Sequence, residues 1–121
     1  MSEAQAVYEA QEKAQETIQI EVTIEELEQA INKRNMLQML EGNEAFKEVI
    51  LEGYLEKNAI RLVHLKGASS MQTKEQQDGI DKQIMAVSML GEHFRSVYAM
   101  ANIAEKRLEQ YTKELAEVEA S

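Results

Sequence analysis

The stretch IDKQIMAVSMLGEHFRSVYAMANIAEKRLEQYTKELAEV, residues 80–118, decides the fold. Ile80, Gln83, Val87, Leu90, Phe94, Val97, Ala101, Ala104, Leu108, Tyr111, Leu115 and Val118 recur at alternating intervals of three and four residues, and only Gln83 is polar. That spacing is the signature of a helix that buries one stripe against other helices. Unbroken, such a helix would be about 58 Å long at a rise of 1.5 Å per residue. A chain of 121 residues has little material to cover it. The expectation is therefore an all-α protein, a helical hairpin or small bundle with one long, coiled-coil-like C-terminal helix.

The flanks of the seam change along its length. Between Gly79 and Met100 they are mostly small or apolar, which suits a multi-helix core. From Glu105 to Glu119 they are charged, which suits a narrow coiled-coil contact. Residues 80–100 are thus expected to pack on the preceding helices. Residues 101–118 are expected to project and to meet another subunit or, alternatively, the N-terminal helix folded back. The candidate partner or oligomer interface is Ala101, Ala104, Leu108, Tyr111, Leu115 and Val118.

Two further helices are expected upstream. Thr23-Ile24-Glu25-Glu26 has the form of a capping box and opens a helix over about 24–40, whose stripe Leu27, Ala30, Ile31, Leu37 and Leu40 is interrupted by Arg34. Arg34 is expected to pair with a carboxylate, Glu52 or Glu56 being the candidates, or to extend its head to water. Gly42 suits a left-handed cap, and Asn43 suits the N-cap of a helix over about 44–65. Apolar residues there form two adjoining stripes, Phe46, Ile50, Gly53 and Ile60 beside Leu51, Leu55, Ala59 and Leu62, as expected of a central helix touched on two sides. The long helix is placed at about 73–119, with Ser69, Thr73 and Asp78 as competing start signals. Gly91 beside the seam suggests tight packing.

Charge is uneven. Residues 1–30 hold eight Glu and one Lys, a balance of −7, while residues 31–121 hold 14 acids and 12 bases, a balance of −2. Residues 1–22 are accordingly expected to be an acidic, mobile segment that orders only on a partner, joined to a single helical domain over 23–121. The alternation Ile18-Gln19-Ile20-Glu21-Val22-Thr23-Ile24 has the period of a strand, yet no second strand candidate exists in the sequence, so an extended linker is expected, with strand pairing to another chain as the alternative.

Motifs for chemistry are sparse. His64 and His93 have no carboxylate or histidine three or four residues away, and there is no Cys, so neither a metal site nor any other cofactor is expected. No phosphate loop, nucleophile elbow or cysteine nucleophile is present, and Glu52 and Glu56 read as surface charge. No enzyme activity is expected. Lys33, Arg34, Arg61, Lys66, Lys82, Arg95, Lys106 and Arg107 are scattered, so direct nucleic-acid binding is not expected. No apolar run reaches the ~18 residues of a membrane span, and the N-terminus lacks the features of a secretory signal.

The stretch from Asn43 to Val63, NEAFKEVILEGYLEKNAIRLV, with the Thr23–Leu40 segment before it, resembles small helical proteins encoded among the virion-structure and assembly genes of tailed bacteriophages. The resemblance spans about residues 18–100 and rests on no chemical motif. It implies a structural or virion-assembly role, in the virion or the infected-cell cytoplasm, with partners that are other copies of the chain or other virion proteins. It brings no catalytic residues with it. A different reading of the same chain is a small acidic regulator that docks its N-terminus on a nucleic-acid-binding protein.

Overall fold

The computed structural model describes residues 2–121, and among them every regular element is helical. The fold is all-α. Helix α1 spans Glu3–Glu41. A second helical stretch follows in three sections: α2 (Glu44–Phe46), a π-helical section (Lys47–Lys57) and α3 (Asn58–Gly67). A short 3-10 turn (Ser69–Met71) leads into α4 (Lys74–Ala120), which has 47 residues.

The expected linker is absent, and so is a helix start at Ile24. No Pro occurs in the chain and the first Gly is Gly42, so nothing interrupts α1 after residue 3. The β-branched alternation of residues 18–24 is divided between two helix faces. Ile20 and Ile24 lie one turn apart facing inward, whereas Ile18 and Val22 lie one turn apart facing outward. Thr23 is not a cap. Its hydroxyl donates to the Gln19 carbonyl one turn back, at 3.0 Å. The true N-cap is Ser2, whose Oγ accepts from the Gln5 amide at 3.1 Å.

The other caps are as the residue types dictate. Asn43 Oδ1 accepts from the Phe46 amide at 3.0 Å. Of the three start signals before α4, Thr73 is the one used. Its Oγ accepts from the Gln76 amide at 3.1 Å while Gln76 Oε1 accepts from the Thr73 amide at 3.2 Å, a complete capping box. Gly42 does not take the left-handed conformation; its amide bonds the carbonyls of Gln38 and Met39.

The chain divides into two compact units, and α1 and α4 each contribute to both. The first unit joins the described residues up to Arg34 with Ala99–Ser121. Here α1 and the end of α4 run antiparallel: Arg34 pairs with Glu105, and Lys13 Nζ donates to the Ser121 carbonyl at 2.6 Å. Ile20, Ala101 and Ala104 are buried. Along α1 the covered positions are Lys13, Thr17, Ile20, Ile24, Leu27, Ile31 and Arg34, a seam at alternating intervals of four and three. Residues 3–22 are therefore part of a helical hairpin, and the expected division at residue 22 is replaced by one at Arg34.

The second unit is Asn35–Tyr98. Its core is Leu62, Ile80 and Val87, with Tyr54, Leu55, Ala59, Leu65, Met71 and Ile84 packed around it. Phe46 meets Phe94 edge to face, with ring centroids 6.0 Å apart. Tyr98 donates to Glu41 Oε1 at 2.7 Å, closing the end of α1 onto α4. Polar side chains fasten the α3–α4 turn. Gln77 Nε2 donates to the carbonyls of Lys66 and Met71, and Lys66 pairs with Asp81. The bond to Lys66 satisfies a carbonyl that the end of α3 leaves open, and the bond to Met71 does the same for the 3-10 turn.

The π-helical section alters the phase of the central helix. The Asn58 amide bonds the Gly53 carbonyl, five residues back. Each residue in a π turn advances around the axis by less than in an α turn. Residues 50–55 are consequently all half-buried, and Ile60, expected on the buried stripe, is exposed, while Leu62 is wholly buried. Gly53 is where this geometry needs glycine: a Cβ there would stand 2.7 Å from the Glu48 carbonyl oxygen. Gly91 has no such role. A Cβ at Gly91 would meet only the Arg95 side chain of the same helix, at 3.6 Å, so the expected tight packing is absent.

Candidate interaction surface

The seam of α4 is buried where the heptad places it. Ile80, Val87, Val97, Ala101 and Ala104 are buried, and Leu90, Phe94, Leu108, Tyr111, Leu115 and Val118 are half-buried. At the polar position Gln83 the seam steps aside, leaving Gln83 exposed and Ile84 covered.

The candidate interface residues are thus brought together on one stripe, in the first unit. That stripe does not project bare. Helix α1 of the same chain lies on it, fixed by the Arg34–Glu105 and Lys13–Ser121 contacts. Small side chains at Ala101 and Ala104 permit close approach there, and Ile20 supplies the large apolar residue opposite this end of α4. Tyr111 is also held along its own helix, with the Arg107 guanidinium 5.7 Å from its ring centroid.

The carboxylate paired with Arg34 is Glu105, on α4, where the sequence offers Glu52 and Glu56 as candidates. The Arg34 side chain is 14% exposed and that of Glu105 49%, so the ion pair sits at the margin of the seam. Three of the other basic residues singled out in the sequence are also used locally. Lys66 binds Asp81, Arg95 binds Glu92, and Arg61 donates to Asn58 Oδ1.

His93 lies against Phe94, with ring centroids 6.1 Å apart. No group of three or more His, Asp or Glu suited to a metal occurs among the described residues. No described helix is long and apolar enough to cross a membrane. An open groove of about 440 Å³ between α1 and the end of α4 is lined by Glu9, Glu12 and Glu16 with Lys13 and Val118. All three carboxylates are exposed to water.

What the surface does offer is apolar. Met36, Met39, Ile60, Val63, Met85 and Met89 are each more than half exposed in the second unit, Met39 at 78%. In the first unit Val7, Tyr8 and Ile18 are also more than half exposed, and Val22 is 49% exposed. The sequence itself carries a signal for α1. Ser2-Glu3-Ala4-Gln5 is a capping box, and the interval from Lys13 to Arg34 is heptad-spaced. Lys13, Thr17 and Arg34 at covered positions hide that seam from a count of apolar residues.

No protein-family model, curated protein or solved structure matches this chain.

Proposed function

We propose that this chain is a non-enzymatic interaction protein that presents helix faces to other proteins, and that it serves the structure or assembly of a bacteriophage virion. The observation that carries the first part is the set of large apolar side chains left exposed once both units have closed their own seams. Where such side chains adjoin in one patch they mark protein–protein contact. Five of the six described methionines, including Met36, Met39, Met85 and Met89, are exposed, and flexible thioether side chains suit a contact surface that must adapt to its partner. The virion part rests on the resemblance of residues 43–63 to small helical phage proteins.

In this reading the partners are other virion proteins or further copies of the chain, and the work is done by helix packing. The acidic, exposed outer side of α1 favours a second reading: an assembly regulator that docks on a basic protein and then leaves. Quantitative mass spectrometry of purified particles from the phage that carries the gene separates the two. Stoichiometric copies in the particle support the structural role. Recovery only in complex with a basic protein outside the particle supports the regulator, and a freely monomeric chain in infected cells overturns both.

A further inference from the structure

Helix α1 has two seams of opposite character. The inner one is covered by α4, as described. The outer one is Ala4, Val7, Gln11, Ala14, Ile18 and Val22, at intervals of three and four residues, without a charged residue on it. All six are exposed, Val7 at 54% and Ile18 at 59%. Carboxylates bound it: Glu3 and Glu21 stand one turn from Val7 and Ile18 at its edge, and Glu25 closes its C-terminal end one turn after Val22. The eight Glu of residues 1–30 are all exposed. The one Lys in that stretch, Lys13, is turned into the inner seam and donates to the Ser121 carbonyl. The outer seam therefore has apolar contact positions framed by carboxylates and no cation.

From this arrangement we infer that the outer face of α1 over residues 4–22 is a docking surface for an amphipathic helix of another protein, one whose apolar stripe is edged by Lys and Arg. The sign of the charge selects the occupant. Flanking residues in a helix pair set partner choice through their charges. A second copy of this face would bring Glu against Glu in either orientation, and like-charge juxtaposition opposes pairing. Anionic lipid and nucleic acid are repelled for the same reason. A cationic helix gains both the apolar burial and the flanking attraction. The inference is independent of the virion reading, because it names the chemistry of the partner and not the process.

The test uses the full chain and two synthetic three-heptad peptides with the same Leu and Ile stripe, one edged by Lys and one by Glu. Binding is followed by fluorescence anisotropy at low and high salt. The Lys-edged peptide binds at least about tenfold more tightly than the Glu-edged one at low salt, and the difference narrows as salt screens the flanks. The triple variant Val7→Gln, Ile18→Gln, Val22→Gln removes only exposed side chains, so its circular dichroism is unchanged while its affinity for the Lys-edged peptide falls. The variant Glu3→Lys, Glu21→Lys, Glu25→Lys reverses the preference between peptides. Equal binding of both peptides overturns the proposal. So does binding that survives the triple Gln variant, which is charge attraction without a seam. A wild-type chain that sediments as a dimer at low salt, with the triple Gln variant monomeric, overturns it in favour of a second copy.

Discussion

Replacing Ile20 by Ala should loosen one unit and leave the other intact. Ile20 is 5% exposed and is the one large apolar side chain of α1 buried to that degree within the first unit. An Ile→Ala change in a core costs about 2–5 kcal/mol. A two-helix unit, whose other seam positions on α1 are only half-buried, relaxes more readily than a deep core, which places the cost near the low end, about 2 kcal/mol. At 1.4 kcal/mol per factor of ten, that is roughly a 30-fold rise in the opening equilibrium of the unit. Amide hydrogen exchange reads it directly, because local opening free energies differ between cooperative units. Residues 10–30 and 105–118 should exchange roughly 30-fold faster in the variant. Amides of α3 and of residues 80–97 should keep their wild-type rates, since their core of Leu62, Ile80 and Val87 does not involve Ile20. Unchanged exchange in residues 10–30 would refute the reasoning, because it would show that Ile20 is not holding α1 to α4. Equal acceleration throughout would refute the division into two units.

Glycine substitutions should separate the π section from ordinary helix. Gly53→Ala should destabilise by about 1–3 kcal/mol in urea denaturation, since the new Cβ meets the Glu48 carbonyl oxygen; a gain in stability there would count against the π geometry. Gly79→Ala, with open space around its Cβ, should instead stabilise by up to about 1 kcal/mol, and a loss would mean an unseen contact. Arg34→Met should be tolerated better than Arg34→Asp, because the second sets like charges together beside Glu105; equal melting temperatures for the two variants would remove the pairing as a cause. The pair Leu108→Glu with Leu115→Glu should abolish protection of residues 10–30 without changing the sedimentation of a wild-type monomer, and loss of a wild-type oligomer instead would return the stripe to an intersubunit role.

Much of the fold was legible because α4 writes its buried stripe plainly. From Val87 to Val118 every heptad position is apolar, and the structure covers each one. The caps at Asn43 and Thr73 were readable from residue type, since only a side-chain oxygen at that place can take the free amides. Helix α1 was not legible to the same degree. Its inner seam includes Lys13, Thr17 and Arg34; the long stems of Lys13 and Arg34 pack while their charged ends reach Ser121 and Glu105. Its β-branched run at residues 18–24 has the period of a strand, and that period also arises when a helix has two apolar faces. The shift of Ile60 out of the buried stripe was hidden for another reason. A π section changes the phase of a helix without a proline or a residue pair to announce it. As for the candidate interface, the sequence placed residues 101–118 on one stripe and left its occupant open between another subunit and the N-terminal helix; in the structure α1 of the same chain lies on that stripe.

The claim at the centre of this account is that α1 of one chain closes the stripe of α4 in that same chain. Zero-length carbodiimide cross-linking tests it directly. The variant Arg34→Lys keeps the cation and places an amine opposite the Glu105 carboxylate, to which the wild-type side chain is paired. Heavy- and light-isotope forms of the variant are mixed in equal amounts, allowed to exchange through a denaturation and refolding cycle, cross-linked, digested and analysed by mass spectrometry. The account predicts cross-linked peptides between residues 34 and 105 whose two halves carry the same isotope label. Peptides in which heavy and light halves occur in statistical proportion would contradict it, by placing α1 on the stripe of a neighbouring chain.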